Sequence, residues 1–245
     1  MVYAHLQLAQ DKEARAVVDE MLATTGVNPS VRGAVFALAA SPARYMMERG
    51  DWKGAAALEV RPSGAPYVDA ITHFARAVGA ARAGNPEAAK ADIARLVELR
   101  DKLIEQKDAY WAEQVDIQRQ VAVAWTLYAE GKYDEALKAM SAAADAEDKT
   151  EKSPVTPGPL APARELYGEM LLERGMAKEA LAAFEATKAK EPNRFRGFLG
   201  AARASEQLGD RAAARANYQS IVAMIGETAS DRPEVATARQ YLSSQ

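Results

Sequence analysis

Between Leu166 and Gly226 one pattern is written twice. In the stretch LYGEMLLERGMAKEALAAFEATKAKEP, Gly168 is followed by Gly175, Ala180, Phe184, Thr187 and Pro192, and Ala202, Gly209, Ala214, Tyr218, Ile221 and Gly226 take the same places 34 residues later. Each mark has a physical reason. Ala180 and Ala214 suit the crossing of two helices, where a methyl group lets backbones approach, and Phe184 and Tyr218 fill the volume one turn beyond. Gly175 and Gly209 end a helix where positive φ is least strained, and Pro192 closes the unit because proline cannot continue a helix. A helix pair of this kind cannot bury its apolar face alone, so it has to stack on neighbours.

The same punctuation extends over most of the chain. Gly50 and Gly84 are again 34 residues apart, whereas Gly84 to Gly131 spans 47 and Gly131 to Gly175 spans 44. VYAHLQLAQDKEARAVVDEML reads as a short first helix, a turn near Gln10 to Lys12, and a full second helix with Ala14 at the crossing. Residues 29–50 read as a long helix that Pro42 should kink or break near Ser41. GDWKGAAALEV supplies a turn and a short helix ended by RPSGAP. Tyr67 to Gly84 then forms a first helix, with Asn85-Pro86 starting its partner. Long helices follow to about Gln106 and from Asp108 to Glu130. In EDKTEKSPVTPGPLAP four prolines fall within nine positions and exclude a continuing helix. Pro233 starts a last helix, to about Ser243, whose Val235, Ala238 and Leu242 make one stripe with Arg239 and Gln240 facing away, as in a cap.

These marks resemble the tetratricopeptide repeat (TPR), a helix-turn-helix unit, strongly from Tyr128 to Gly226 and weakly before Pro66. They also resemble the C-terminal half of longer, functionally uncharacterised bacterial TPR proteins. The resemblance implies an all-α fold, a right-handed α-solenoid of about five and a half TPR-like pairs with a C-terminal capping helix. It would form one superhelical domain over 1–245, with irregular repeats over 1–65 and longer-spaced repeats over 66–159. A proline-rich insertion occupies 148–162, regular repeats 160–226 and the cap 231–244. The family's large aromatic early in the first helix is largely missing. The first helix of the N-terminal pair is too short to cover its partner, which points to a longer array or to another subunit covering that edge.

In TPR proteins the first helices line the concave face, so counting back from each turn glycine nominates a ligand-facing set: Arg44, Phe74, Arg82, Trp125, Tyr128, Glu169, Arg196 and Arg203. Trp125 and Tyr128 would serve as apolar anchors and the arginines as selectors of acidic groups, as buried interface anchors do. Packing of Trp125 and Tyr128 against the insertion, and solvated helix faces for the arginines, are the plain alternatives. KSPVTPGP is extended and polyproline-like. It reads as a docking strand, as a surface loop, or as a segment lying back in the groove with Val155 and Pro157 near Trp125.

Composition narrows the function classes. About a fifth of the 245 residues are alanine, which favours helices, and the net charge of -3 argues against a general nucleic-acid surface. No apolar stretch reaches the roughly 18 to 20 residues that span a bilayer, so a soluble protein is expected. The chain has no cysteine, which removes disulfides, thiolate catalysis and most structural zinc sites. The start lacks the basic region and apolar core of a signal peptide, so none is expected there. That leaves a cytoplasmic location as the default and a periplasmic one open if an upstream signal has been lost. The two histidines, His5 and His73, are far apart. A small site combining His73 with Tyr110, Trp111 and Glu113 requires adjacent helices to align, and a hydrogen-bonded histidine in a repeat interface is the plainer reading. Glu165, Glu169 and Glu173 form a one-face stripe that could hold a cation, or face water or an arginine. No phosphate loop or hydrolase motif is present. The expectation is a non-catalytic scaffold without cofactor or metal that binds a protein or peptide. The alternatives are an assembly module forming a homo-oligomer through the N-terminal edge, and a small-ligand site at His73.

Overall fold

Reversals of chain direction are made by residues in the left-handed region. The computed structural model describes residues 1–28, 30–151 and 158–244. At Gly50, Gly84, Gly131, Gly175 and Gly209, the five glycines marked as corners, φ is 66°, 84°, 80°, 71° and 73°. At each corner the next N–H reaches back to the carbonyl five residues earlier. These bonds include Asp51 to Met46, Asn85 to Ala80 and Lys132 to Leu127, all 2.9 Å. They satisfy carbonyls that the ending helix leaves orphaned. Three more left-handed turn residues are not glycine: Ala9 at 54°, Lys107 at 59° and Asn193 at 62°; at the first two, Gln10 bonds to His5 at 2.8 Å and Asp108 to Leu103 at 2.9 Å. Asp51, Asn85, Asp108 and Asp210 then cap the following helix by accepting a backbone N–H three residues on.

Thirteen helices result among the described residues, which contain no strand. They pack mainly on sequence neighbours. None is long and apolar enough to cross a membrane. The chain divides into two compact units, Glu20–Ala163 and Met1–Asp19 with Arg164–Gln245.

The middle unit contains α3 (Arg32–Arg49), α4 (Trp52–Ala56), α5 (Pro66–Arg82), α6 (Pro86–Glu105), α7 (Ala109–Ala129) and α8 (Tyr133–Lys149). Helix α5 is its centre, touching α3, α4, α6 and α7 and burying Ile71, Phe74, Ala75 and Val78. Of the kink or break expected at Pro42, the break is absent. The helix runs unbroken past it, and the missing hydrogen bond is offset by burial of Ala40, Pro42, Ala43 and Met47.

The terminal unit contains α1 (Val2–Gln7), most of α2 (Asp11–Ala23) and nearly all of α9 (Ala163–Glu173), with α10 (Ala177–Lys190), α11 (Phe195–Gln207), α12 (Arg211–Ile225) and α13 (Pro233–Ser243). Ala180, Phe184, Ala214 and Tyr218 are all fully buried. The Phe184 ring is wedged between α9 and α11, where a side chain on Gly168 would come within 2.8 Å of it and one on Gly200 closer still. The short first helix is covered by the same chain rather than left open. Gln7 Oε1 accepts the N–H of Phe195 at 2.8 Å, and the Arg232 guanidinium forks onto Asp11 at 2.6 and 2.9 Å. Ala9 joins a core with Phe195, Tyr218, Ile221 and Val235.

Two consequences are measurable. Lys107→Gly relieves the left-handed strain and should stabilise the protein by about 1 kcal/mol, whereas Gly131→Ala should cost a similar amount, read from urea midpoints. Burial, and then the Glu206 carboxylate that accepts from its hydroxyl at 2.9 Å, push the Tyr218 phenol well above its ordinary value. Its folded pKa exceeds its unfolded one, so its contribution is complete below about pH 10 and falls as pH rises further. Tyr218→Phe should flatten that alkaline loss in denaturation midpoints measured from pH 9 to 11.

Candidate functional site

Helices α3, α5 and α7 form a layer in the middle unit, since α5 contacts both of the others although α4 and α6 intervene in sequence. Aromatic side chains gather at two levels of this layer. At the helix starts, Tyr67 stacks on Trp111 at 4.3 Å and 16°, with Phe36 at 6.1 Å from Trp111, and all three are half-buried. Tyr67 and Trp111 are large aromatics in first turns, where the sequence reading found them largely missing. Toward the helix ends, the Arg82 guanidinium lies 4.2 Å from the Trp52 ring centre and 4.0 Å from that of Trp125, geometry that favours a cation on a π face. Trp125 meets Tyr128 edge-on at 5.4 Å, and Tyr128 meets Tyr133 at 5.0 Å.

Between the two levels α7 presents glutamines. Among the described residues, no hydrogen-bond partner is found for the buried atoms Gln114 Nε2, Gln118 Oε1 and Trp125 Nε1. On the opposite face of α7, Asp116 accepts from Arg119 at 2.8 Å, Gln120 at 2.7 Å and Arg100 at 3.0 Å. Burial alone would raise its pKa, but these bonds outweigh it and hold the carboxyl below its ordinary value.

The nominated residues are placed as follows. Trp125 and Phe74 are buried, at 2% and 3% exposure. Tyr128 and Arg82 are half-buried in the aromatic group described. Arg44 is buried and donates to the carbonyls of Gly158, Pro159 and Leu160 at 3.1, 3.1 and 3.2 Å. Its guanidinium therefore holds the chain's own backbone. In the terminal unit Arg196 donates to Glu169 at 2.9 Å, and Arg203 is exposed. The insertion residues Val155 and Pro157 lie outside the described residues.

The acidic stripe is partly taken up by arginines. Glu165 is fully buried and grips Arg194 through two bonds of 2.7 and 2.9 Å, Glu169 pairs with Arg196, and Glu173 is exposed. Among the described residues no group of three or more potential ligands could hold a metal ion. His73 Nδ1 lies 2.6 Å from Asp92 Oδ1. Asp92 also accepts from Arg76 at 3.1 Å, and Arg76 reaches the Leu58 carbonyl at 2.7 Å. His73 thus belongs to the contact of α5 with α6, and Trp111 to the aromatic stack.

Sequence counting missed Phe36 and Tyr67, which meet Trp111 at the helix starts, and Trp52, which meets Arg82 toward the helix ends. An aromatic one or two residues inside the start of both α5 and α7 is the signal that could have flagged Tyr67 and Trp111. Compared with known families, curated proteins and solved structures, the chain matches none.

The buried pair yields a test. Arg194→Met removes the bidentate partner of the Glu165 carboxylate, leaving only Arg196 at 3.9 Å, and should cost about 3 kcal/mol in denaturant unfolding. The double change with Glu165→Leu should recover most of that loss.

Proposed function

We propose that this chain is a non-catalytic, TPR-like scaffold, a right-handed α-solenoid of helix pairs, that binds an extended protein or peptide segment on the first-helix face of its middle unit. The observation that carries this reading is the α3–α5–α7 layer, in which every second helix touches the next of its kind. Such a layer collects side chains from successive pairs on one surface. Tyr67 and Trp111 at one level, and Tyr128 beside Trp125 and Arg82 at the other, supply rigid aromatic contact area of the kind that anchors partners. Acidic selection by arginine is a smaller part of this proposal than the residue types alone suggest, because Arg44 is bonded to its own chain. In the terminal unit, Arg203 is the nominated arginine most exposed to a partner.

Panning a random peptide display library against the whole chain tests the reading. Tyr67→Ala and Tyr128→Ala should each weaken capture of selected peptides roughly tenfold, with the circular dichroism spectrum preserved. Retention of the same peptides at the same affinity by both variants rules the surface out.

A further inference from the structure

Helices α11 and α13 begin without caps of their own. Their N-cap residues are Arg194 and Arg232, whose side chains make no cap bond, and a cation is the wrong charge for the positive end of a helix dipole. What both starts lack comes from the corner between α1 and α2. Gln7 Oε1 accepts the N–H of Phe195, the first residue of α11, at 2.8 Å from 188 positions away in sequence. Asp11 takes the Arg232 fork at 2.6 and 2.9 Å. The Ala9 carbonyl accepts from Ser230 Oγ at 2.8 Å, Ala9 itself lies in the core of α11, α12 and α13, and Lys12 meets Asp231 at 2.8 Å on the exposed rim. Gln7, Ala9 and Asp11 thus fit, at alternate positions, a docking site built by α11, α13 and the residues just before α13. The whole middle unit lies in sequence between this site and its occupant, and residues 24–31, between α2 and α3, belong to no helix.

We infer that residues 1–23 are an exchangeable docking element, and that two copies of this chain pair by each seating its α1–α2 hairpin on the other's α11 and α13. The bonds above already specify the occupant, so a second copy is the partner that fits the site without any new contact. Folding supplies the route. Until the middle unit has folded, the hairpin and its site are held together only by the long chain between them, and such a tether gives an effective concentration below about a millimolar. A neighbouring chain at comparable concentration then competes for the site. Once seated, either arrangement is held by a buried backbone bond and by an ion pair whose arginine is 3% exposed, both costly to open. The two forms therefore interconvert slowly. The proposed peptide face belongs to the middle unit, so this pairing stands or falls separately from it.

The test refolds the full chain from urea at about 1 μM and, near the effective concentration of the tether, at about 500 μM. Both samples are then diluted to one concentration and their mass is read by size-exclusion chromatography with light scattering. Monomer is expected from the dilute sample, and a fraction of twice the mass that survives dilution from the concentrated one. Monomer alone from both overturns the proposal. A second measurement locates the contact. Lys12→Cys in one chain and Asp231→Cys in another, each otherwise free of cysteine and altered at an exposed position, are mixed unfolded, refolded together at the high concentration and treated with a short bis-maleimide. A link between positions 12 and 231 of different chains, identified by mass spectrometry of the digest, is expected in the dimer and absent from material refolded dilute. A dimer that lacks this link overturns the exchange.

Discussion

The left-handed residue at the end of each first helix is the constraint on which the rest depends. It costs an ordinary side chain about 1 to 2 kcal/mol, so glycine holds it at five corners, and the reversal lets each second helix fold back on its first. The backbone pair of hydrogen bonds made there closes the old helix, and at Asp51, Asn85, Asp108 and Asp210 the next side chain opens the new one. Lys132 and Met176 follow corners without any side-chain cap. The turn geometry is therefore sufficient, and the cap is a local reinforcement worth about 1 kcal/mol.

Connecting segments have a different problem, since their carbonyls are outside any helix ladder. In the middle unit arginine side chains answer it. Arg44 binds carbonyls of 158–160, and Arg76 that of Leu58. A guanidinium has several donors in a fixed fork and remains charged, so one helix residue can tie down two or three consecutive carbonyls. This explains why an arginine counted onto a ligand-facing position, such as Arg44, ends as a brace. Side-chain reach is longer than the spacing between the helix and the loop beside it.

The helices were legible in the sequence because their boundaries are local. Glycine, an Asp or Asn after it, and Pro at a first helical position each act within a few residues, and even the corner at Lys107 was marked by Asp108 as the next helix start. The contacts that build the candidate surface are not local. Phe36, Tyr67 and Trp111 are separated by 31 and 44 residues, intervals set by the irregular insertions rather than by the 34-residue period. The packing of Gln7 and Asp11 on Phe195 and Arg232 lies outside any repeat logic, since a repeat predicts contacts only with adjacent pairs. Pro42 failed as a helix breaker for a related reason: burial around it is a tertiary term that outweighs a local preference.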